Sequence, residues 1–310
     1  MKPLHEYGWD DWKRLRPVTH GLKTLRYDAT RNVYIRRRQR GGDMTVPQQI
    51  RGRRVLVTIG YGDPEAIDMQ AAAVARFVPG ALYIVADNSA DDAAAREIAA
   101  IAGRHGAPYV RLPKPLVLEE GSRSHGLALD WVWRNIIRPG EPEAFGFLDD
   151  DMFPTAPDDP FAMLRQQPVY GALRRQGDRW FLWAGFCLFR FEPVKNLKLN
   201  FGQDWFKGLD TGGGNWTVLY SRLDRAGLTF APQHFEPYRP GADPVHDSIQ
   251  WCGPWLHEVG QTRRAGRLEQ AADKRRHIKE LLAPHIVPPD VASSSRGGGG
   301  GAPLQQMQSA

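Results

Sequence analysis

The stretch AFGFLDDDMFPTAPDDP, residues 144–160, sets three consecutive aspartates directly behind an apolar run. AFGFL (144–148) suits a short buried strand, and the acids after it cannot enter a core unpaired. Adjacent carboxylates repel and raise one another's pKa unless a cation or hydrogen-bond donors hold them. Mg²⁺ and Mn²⁺ favour oxygen ligands, and Mg²⁺ takes one or two carboxylates with the remainder from water and substrate phosphates. In an extended segment Asp149 and Asp151 point the same way and Asp150 the opposite way. Asp149 and Asp151 could therefore face a metal whose other ligands are a diphosphate. A capping or turn role accounts for the acids and prolines of DDDMFPTAPDD equally well, and the strand in front tips the balance towards metal.

Outward from this stretch, the preceding residues alternate strands with helices. RVLVTIG (54–60) reads as a strand buried on both faces. DPEAIDMQAAAVARFVPG (63–80) reads as a helix, with Asp63 as N-cap, Pro64 at the first helical position, and Ile67, Ala71, Val74 and Val78 on one face. ALYIVAD (81–87) and PYVRLP (108–113) are further strands; DDAAAREIAAIAGRHG (91–106) and SRSHGLALDWVWRNII (122–137) are further helices. This βαβαβαβ order implies an α/β fold with a Rossmann-like, mostly parallel sheet and helices on both faces. Ligands of such sheets bind beyond the carboxyl ends of the strands. Thr58 to Tyr61, Asp87 to Ser89 and the three aspartates occupy that edge.

The second half is less regular. RWFLWAGFCLFRF (179–191) is strand-like, and the end of GLDTGGGNWTVLYSRLDRAG (208–227) has helical spacing in Val218, Leu219 and Leu223, with Gly227 as C-cap. Residues 1–50 read as polar and irregular, with Trp9 and Trp12 packing on the body as an N-terminal arm. SSSRGGGGGAPLQQMQSA (293–310) is low-complexity and reads as a disordered tail. The expected divisions are a basic arm (1–52), a catalytic domain (53–260, divided at 155/156), a basic helix (261–292) and the tail (293–310).

LDDD behind its strand, together with VLVTIGYGDPE, YIVADNSADD and GSRSHGLALDWV, resembles the nucleotide-sugar-binding half of a GT-A fold glycosyltransferase. The similarity is to the family 2 group of inverting enzymes and covers about residues 53–230. The resemblance implies a metal-dependent transfer of a sugar from a nucleoside-diphosphate sugar to an acceptor hydroxyl of a glycan, lipid or protein. It implies that Thr58 and Tyr61 lie beside the nucleoside, that Asp87, near Ser89, reads the base, and that Arg123 approaches the nucleotide. Asp149 and Asp151 become the DxD motif for Mn²⁺ or Mg²⁺, with Asp150 on the donor. WAGFCLFRFEP matches the glycine-containing strand of the acceptor half. The catalytic base falls on Asp210, with Leu209 where the family carries glutamate; Asp204 in FGQDW is the rival. His246 is the expected third metal ligand, ahead of His234, and His125 is expected to be structural. Trp251, Trp255 and His257 could line an acceptor groove, with at least one tryptophan in the core.

Composition narrows the alternatives. With 42% hydrophobic and 25% charged residues, 310 residues can bury a sizeable core. Two cysteines, Cys187 and Cys252, give neither a disulfide framework nor a zinc motif. Positive charge is concentrated in residues 31–54, with eight arginines and one acid, and 261–279, with seven basic residues and two acids. No apolar run approaches 18 residues and residues 1–30 carry no apolar segment with a small-residue cleavage site, so the expectation is a cytoplasmic protein. The basic flanks could hold lipid headgroups at the inner membrane face, nucleic acid or an acidic substrate, or form a solvated face. No nucleic-acid-binding motif accompanies them. A haloacid-dehalogenase-type phosphatase fails because Phe153 follows Asp151-Met152 and the acids lie behind the fourth strand. A nucleotidyltransferase fails because TIGYGDPE lacks the expected phosphate loop.

Overall fold

The computed structural model describes residues 6–41, 45–116, 121–241, 247–260 and 268–284. Three helices come first: α1 (Trp9–Lys13), α2 (Arg16–Tyr34) and α3 (Val46–Ile50). The α/β body follows in the expected order: β1 (Arg54–Gly60), α4 (Pro64–Phe77), β2 (Leu82–Asp87), α5 (Asp92–Arg104), β3 (Tyr109–Arg111) and α6 (Gly121–Val132). A π-helical turn (Trp133–Ile137) and α7 (Arg138–Gly140) lead into β4 (Ala144–Asp149). Local chemistry sets the helix starts. The Asp63 carboxylate accepts from the Ala66 N–H at 3.0 Å and the Asp91 carboxylate from the Ala94 N–H at 2.9 Å.

Beyond β4 come β5 (Met152–Pro154), β6 (Val169–Gln176), β7 (Arg179–Arg190), α8 (Phe191–Val194), β8 (Gln233–Pro237), β9 (Ser248–Cys252), β10 (Trp255–His257) and α9 (Leu268–Leu282). The main sheet runs β3-β2-β1-β4-β7-β6. Its first four strands are parallel, and β7 and β6 are antiparallel additions. Alternate residues feed two cores. Val55, Val57, Phe145 and Phe147 pack with Tyr27, Tyr34, Leu127 and Trp131 on one side. Leu56, Tyr83 and Leu148 pack with Ile67, Val74, Ile98 and Ile101 on the other. Helices therefore cover both faces of a mostly parallel sheet.

A second, antiparallel sheet runs β5-β10-β9-β8. Its Phe153, Ile249 and Leu256 bury against Ile278 and Leu282 of α9. Arg275 of α9 fastens this layer, donating to Glu258 at 2.6 Å and to Asp63 at 2.9 Å. Both cysteines are free and buried.

Two expectations fail. The N-terminal segment is not irregular: α2 is a 19-residue helix whose Tyr27 and Tyr34 join the main core. Trp9, 74% exposed, does not pack down, whereas Trp12, 40% exposed, meets the ring of the buried Tyr7 edge-on at 6.4 Å. Residues 208–227 form no helix but the short 3-10 turns Gly213–Asn215, Tyr220–Arg222 and Arg225–Gly227. Gly212, at φ 95°, adopts a left-handed conformation, and a Cβ there would meet the Leu182 carbonyl oxygen at 2.6 Å. The basic 261–292 helix is described only as α9, and the 293–310 tail lies outside the described residues.

Candidate functional site

The site begins where β4 ends. Asp149 ends β4 and the chain then turns through Asp150 and Asp151 before β5, so the three acids do not share one extended segment. A buried amide braces that turn: Gln70 Nε2 donates to the carbonyls of Asp149 (2.7 Å) and Met152 (2.6 Å), while the Tyr83 hydroxyl donates to Gln70 Oε1 at 2.6 Å. The acids line a cleft of about 270 Å³ with Tyr61, Asn88, Ser124, His125, Trp183, Asp210, Thr211 and His257.

Asp149, Asp151 and His257 offer ligand atoms that all lie within 4.8 Å of one another. The second sheet makes this possible. His257 of β10 pairs with Met152 of β5, which brings its Nε2 to 3.4 Å from Asp151 Oδ1. The other ring nitrogen, Nδ1, lies 3.1 Å from Gln250 Oε1. That oxygen also accepts from Arg174 Nη2 at 3.2 Å, while Gln250 Nε2 donates to Gln233 Oε1 at 2.9 Å. Gln250 therefore presents an acceptor to Nδ1, and Nε2 is the ring nitrogen that faces the acids.

Burial, followed by the charge of Asp151, pushes Asp150 well above the usual carboxylate range. Burial also raises Asp149, opposed chiefly by His125, whose Nδ1 lies 3.3 Å away. The His125 Nε2 is buried without a hydrogen-bond partner among the described residues. Two crowded carboxylates and an imidazole nitrogen whose ligand atoms lie this close together fit a divalent cation.

Opposite the metal-ligand candidates, β7 supplies a glycine where contact is closest. A Cβ on Gly185 would stand 2.5 Å from Asp149 Oδ2 and 2.3 Å from Trp183 Cζ2. Trp183 in turn contacts the His257 ring at 4.5 Å between centroids, with the Arg174 guanidinium over it at 5.1 Å. Asp210 sits at the rim. Its Oδ1 accepts from Gln203 Nε2 (2.9 Å), the Thr211 N–H (2.8 Å) and the Thr211 hydroxyl (3.3 Å).

The cleft gathers Tyr61, Asp149, Asp150, Asp151, Asp210 and His257, whereas Thr58, Asp87, Ser89, Arg123 and Asp204 are not among the described residues that line it. Thr58 is buried within β1, its hydroxyl 3.4 Å from the Leu148 carbonyl. Asp87 is fully buried and accepts from the Ser89 N–H at 2.8 Å and the Tyr109 hydroxyl at 2.6 Å, so its carboxylate is not open to a base. Ser89 is buried, its hydroxyl accepting from the Gly62 N–H at 2.8 Å. Arg123 lies over Trp205 at 5.0 Å. Asp204, the rival base, is engaged by Lys207 Nζ at 2.5 Å and does not line the cleft. Asp150 accepts from the Tyr61 N–H at 3.0 Å. His246 lies outside the described residues, and His234 is exposed on β8, stacked on Trp251. Trp255 is core, whereas His257 stands with the acids and not in a separate groove. His125, expected to be structural, also lines the cleft.

No protein-family profile matches the sequence, and no curated protein matches it. Among solved structures it is similar to the mannosyltransferase PcManGT from Pyrobaculum calidifontis, in complex with GDP-Man and Mn²⁺ (13% identity, TM-score 0.36, 61% of this chain and 59% of that one). It is also similar to the galactosyltransferase LgtC with donor and acceptor sugar analogs (14%, TM-score 0.41, 77% and 99%) and to S. aureus TarS (14%, TM-score 0.31, 48% and 30%). The chain thus spans less than two thirds of PcManGT and of TarS. At these TM-scores the likeness brings neither an activity nor a ligand across to this chain.

Proposed function

We propose that the chain is a GT-A-type glycosyltransferase that moves a sugar from a nucleoside-diphosphate sugar to an acceptor hydroxyl. The observation that carries this reading is the meeting of Asp149, Asp151 and His257 with Asp210 around one cleft at the carboxyl edge of the parallel strands. Asp149, Asp151 and His257 would hold Mn²⁺ or Mg²⁺. When bound, the ion supplies electrostatic stabilisation of the negative charge that grows on the departing diphosphate.

This chain's own residues do the remainder. Gln203 Nε2 and the Thr211 N–H donate to Asp210 Oδ1, which leaves Oδ2 as the oxygen that accepts the acceptor hydroxyl proton. As that proton leaves, the acceptor oxygen bonds to the anomeric carbon and the bond from that carbon to the diphosphate oxygen breaks. A base opposite the leaving group gives inversion. Trp183 lines the cleft against the His257 ring and would border the sugar. Tyr61, Asn88 and Ser124 lie where the nucleotide would enter.

Release of nucleoside diphosphate from a panel of nucleotide sugars tests the reading. Asp151→Asn should lower release by about a hundredfold or more while the melting temperature is held. Undiminished release by that variant would refute the assignment. Nucleotide binding with no release from any donor would leave a nucleotide-binding protein without turnover.

A further inference from the structure

The outer face of α1 and α2 plays no part in the cleft. On its inner side α2 buries Tyr27 and Tyr34, and Arg31 Nε reaches Asp130 of α6 at 2.6 Å. On its outer side Val18, Leu22 and Leu25 are 53%, 62% and 68% exposed, spaced four and three residues apart on one face. Trp9 and Leu15 extend the stripe at one end and Val33 at the other, all exposed. Lys13, Arg14, Lys23 and Arg26 stand exposed beside it, and Arg36, Arg37 and Arg38 follow the helix end. Residues 8–40 hold ten lysines and arginines against three aspartates.

A helix on a water-facing surface turns its polar side outward; this one turns out large apolar side chains edged by cations. We propose that the α1–α2 face docks the chain on an anionic lipid surface. The apolar stripe enters the headgroup boundary and the flanking lysines and arginines meet lipid phosphates. Charge complementarity selects this occupant. A second copy on the same stripe would set these cations against their own kind, whereas an anionic bilayer supplies the opposite sign. Among the described residues no helix is long and apolar enough to cross a membrane, and α2 would lie flat along about 28 Å of the surface. Docking would also hold the cleft near the bilayer, because α2 lies on α6, whose first turn supplies Ser122 and Ser124 to the cleft. The inference does not depend on the catalytic proposal, and its test needs no donor.

The experiment is co-sedimentation of the full chain with phosphatidylcholine vesicles, with and without phosphatidylglycerol. Binding should require phosphatidylglycerol and weaken at high salt. The pairs Leu22→Ser with Leu25→Ser, and Lys23→Glu with Arg26→Glu, change only exposed side chains and should retain the wild-type melting temperature. Each pair should reduce partitioning by about tenfold or more. Binding that ignores phosphatidylglycerol, or that survives either pair, would overturn the proposal. So would a dimer in analytical ultracentrifugation that Leu22→Ser with Leu25→Ser abolishes, which would give the stripe to a second copy.

Discussion

His257 takes its orientation from Gln250, whose Oε1 lies 3.1 Å from Nδ1 and whose own amide is fixed by Gln233. Replacing Gln250 with Leu removes that acceptor and frees the ring to change tautomer. Mn²⁺ affinity should fall about 10- to 100-fold in titration calorimetry; unchanged affinity would show that His257 is not a ligand. Asp150 makes a second test. Its folded-state pKa is raised by burial and by Asp151, so its contribution to stability is full below the ordinary carboxylate pKa and is lost as pH rises through the raised value. Ionised Asp150 therefore costs the metal-free protein stability at neutral pH. Asp150→Asn keeps an oxygen for the Tyr61 N–H and should raise the metal-free melting temperature at pH 7, with little effect in acid. A lower melting temperature at pH 7 would contradict this cause.

Elements place these residues, and they were unevenly legible in the sequence. β1 to β4 and their helices could be read because Val55, Ile84 and Phe147 lie in buried runs and because Asp63 and Pro64 announce a helix start. α2 could not be read, because its buried side carries Tyr27, Arg31 and Tyr34 while its leucines point outward, the reverse of the usual pattern. Residues 218–223 mimicked helical spacing, yet the preceding glycines make turns and the buried Leu219 stands in a turn just before the 3-10 segment Tyr220–Arg222. His257 joins Asp151 only through the pairing of β10 with β5, which local spacing does not encode. β7 supplies the test at this scale. Gly185→Ala would place a Cβ 2.5 Å from Asp149 Oδ2, opposite the end of β4. It should cost about 1–3 kcal/mol in urea unfolding and abolish Mn²⁺ binding. Wild-type behaviour would mean that β7 yields more readily than its close contacts imply.

At the scale of the whole molecule, two sheets share one site. The parallel sheet delivers Asp149 and the turn behind it; the antiparallel sheet, fastened by Arg275, delivers His257; the segment after α8 delivers Asp210. None of the three alone assembles the cleft, so donor recognition should depend on the metal that joins the first two. Thermal melting of the full chain with Mn²⁺ and a panel of nucleoside diphosphates measures this directly, since a ligand of the native state raises the melting temperature by mass action. One nucleotide should raise it only when Mn²⁺ is present, and the shift should vanish in Asp151→Asn. No shift with any nucleotide, or an equal shift without metal and in Asp151→Asn, would contradict a metal-dependent donor site at Asp149, Asp151 and His257.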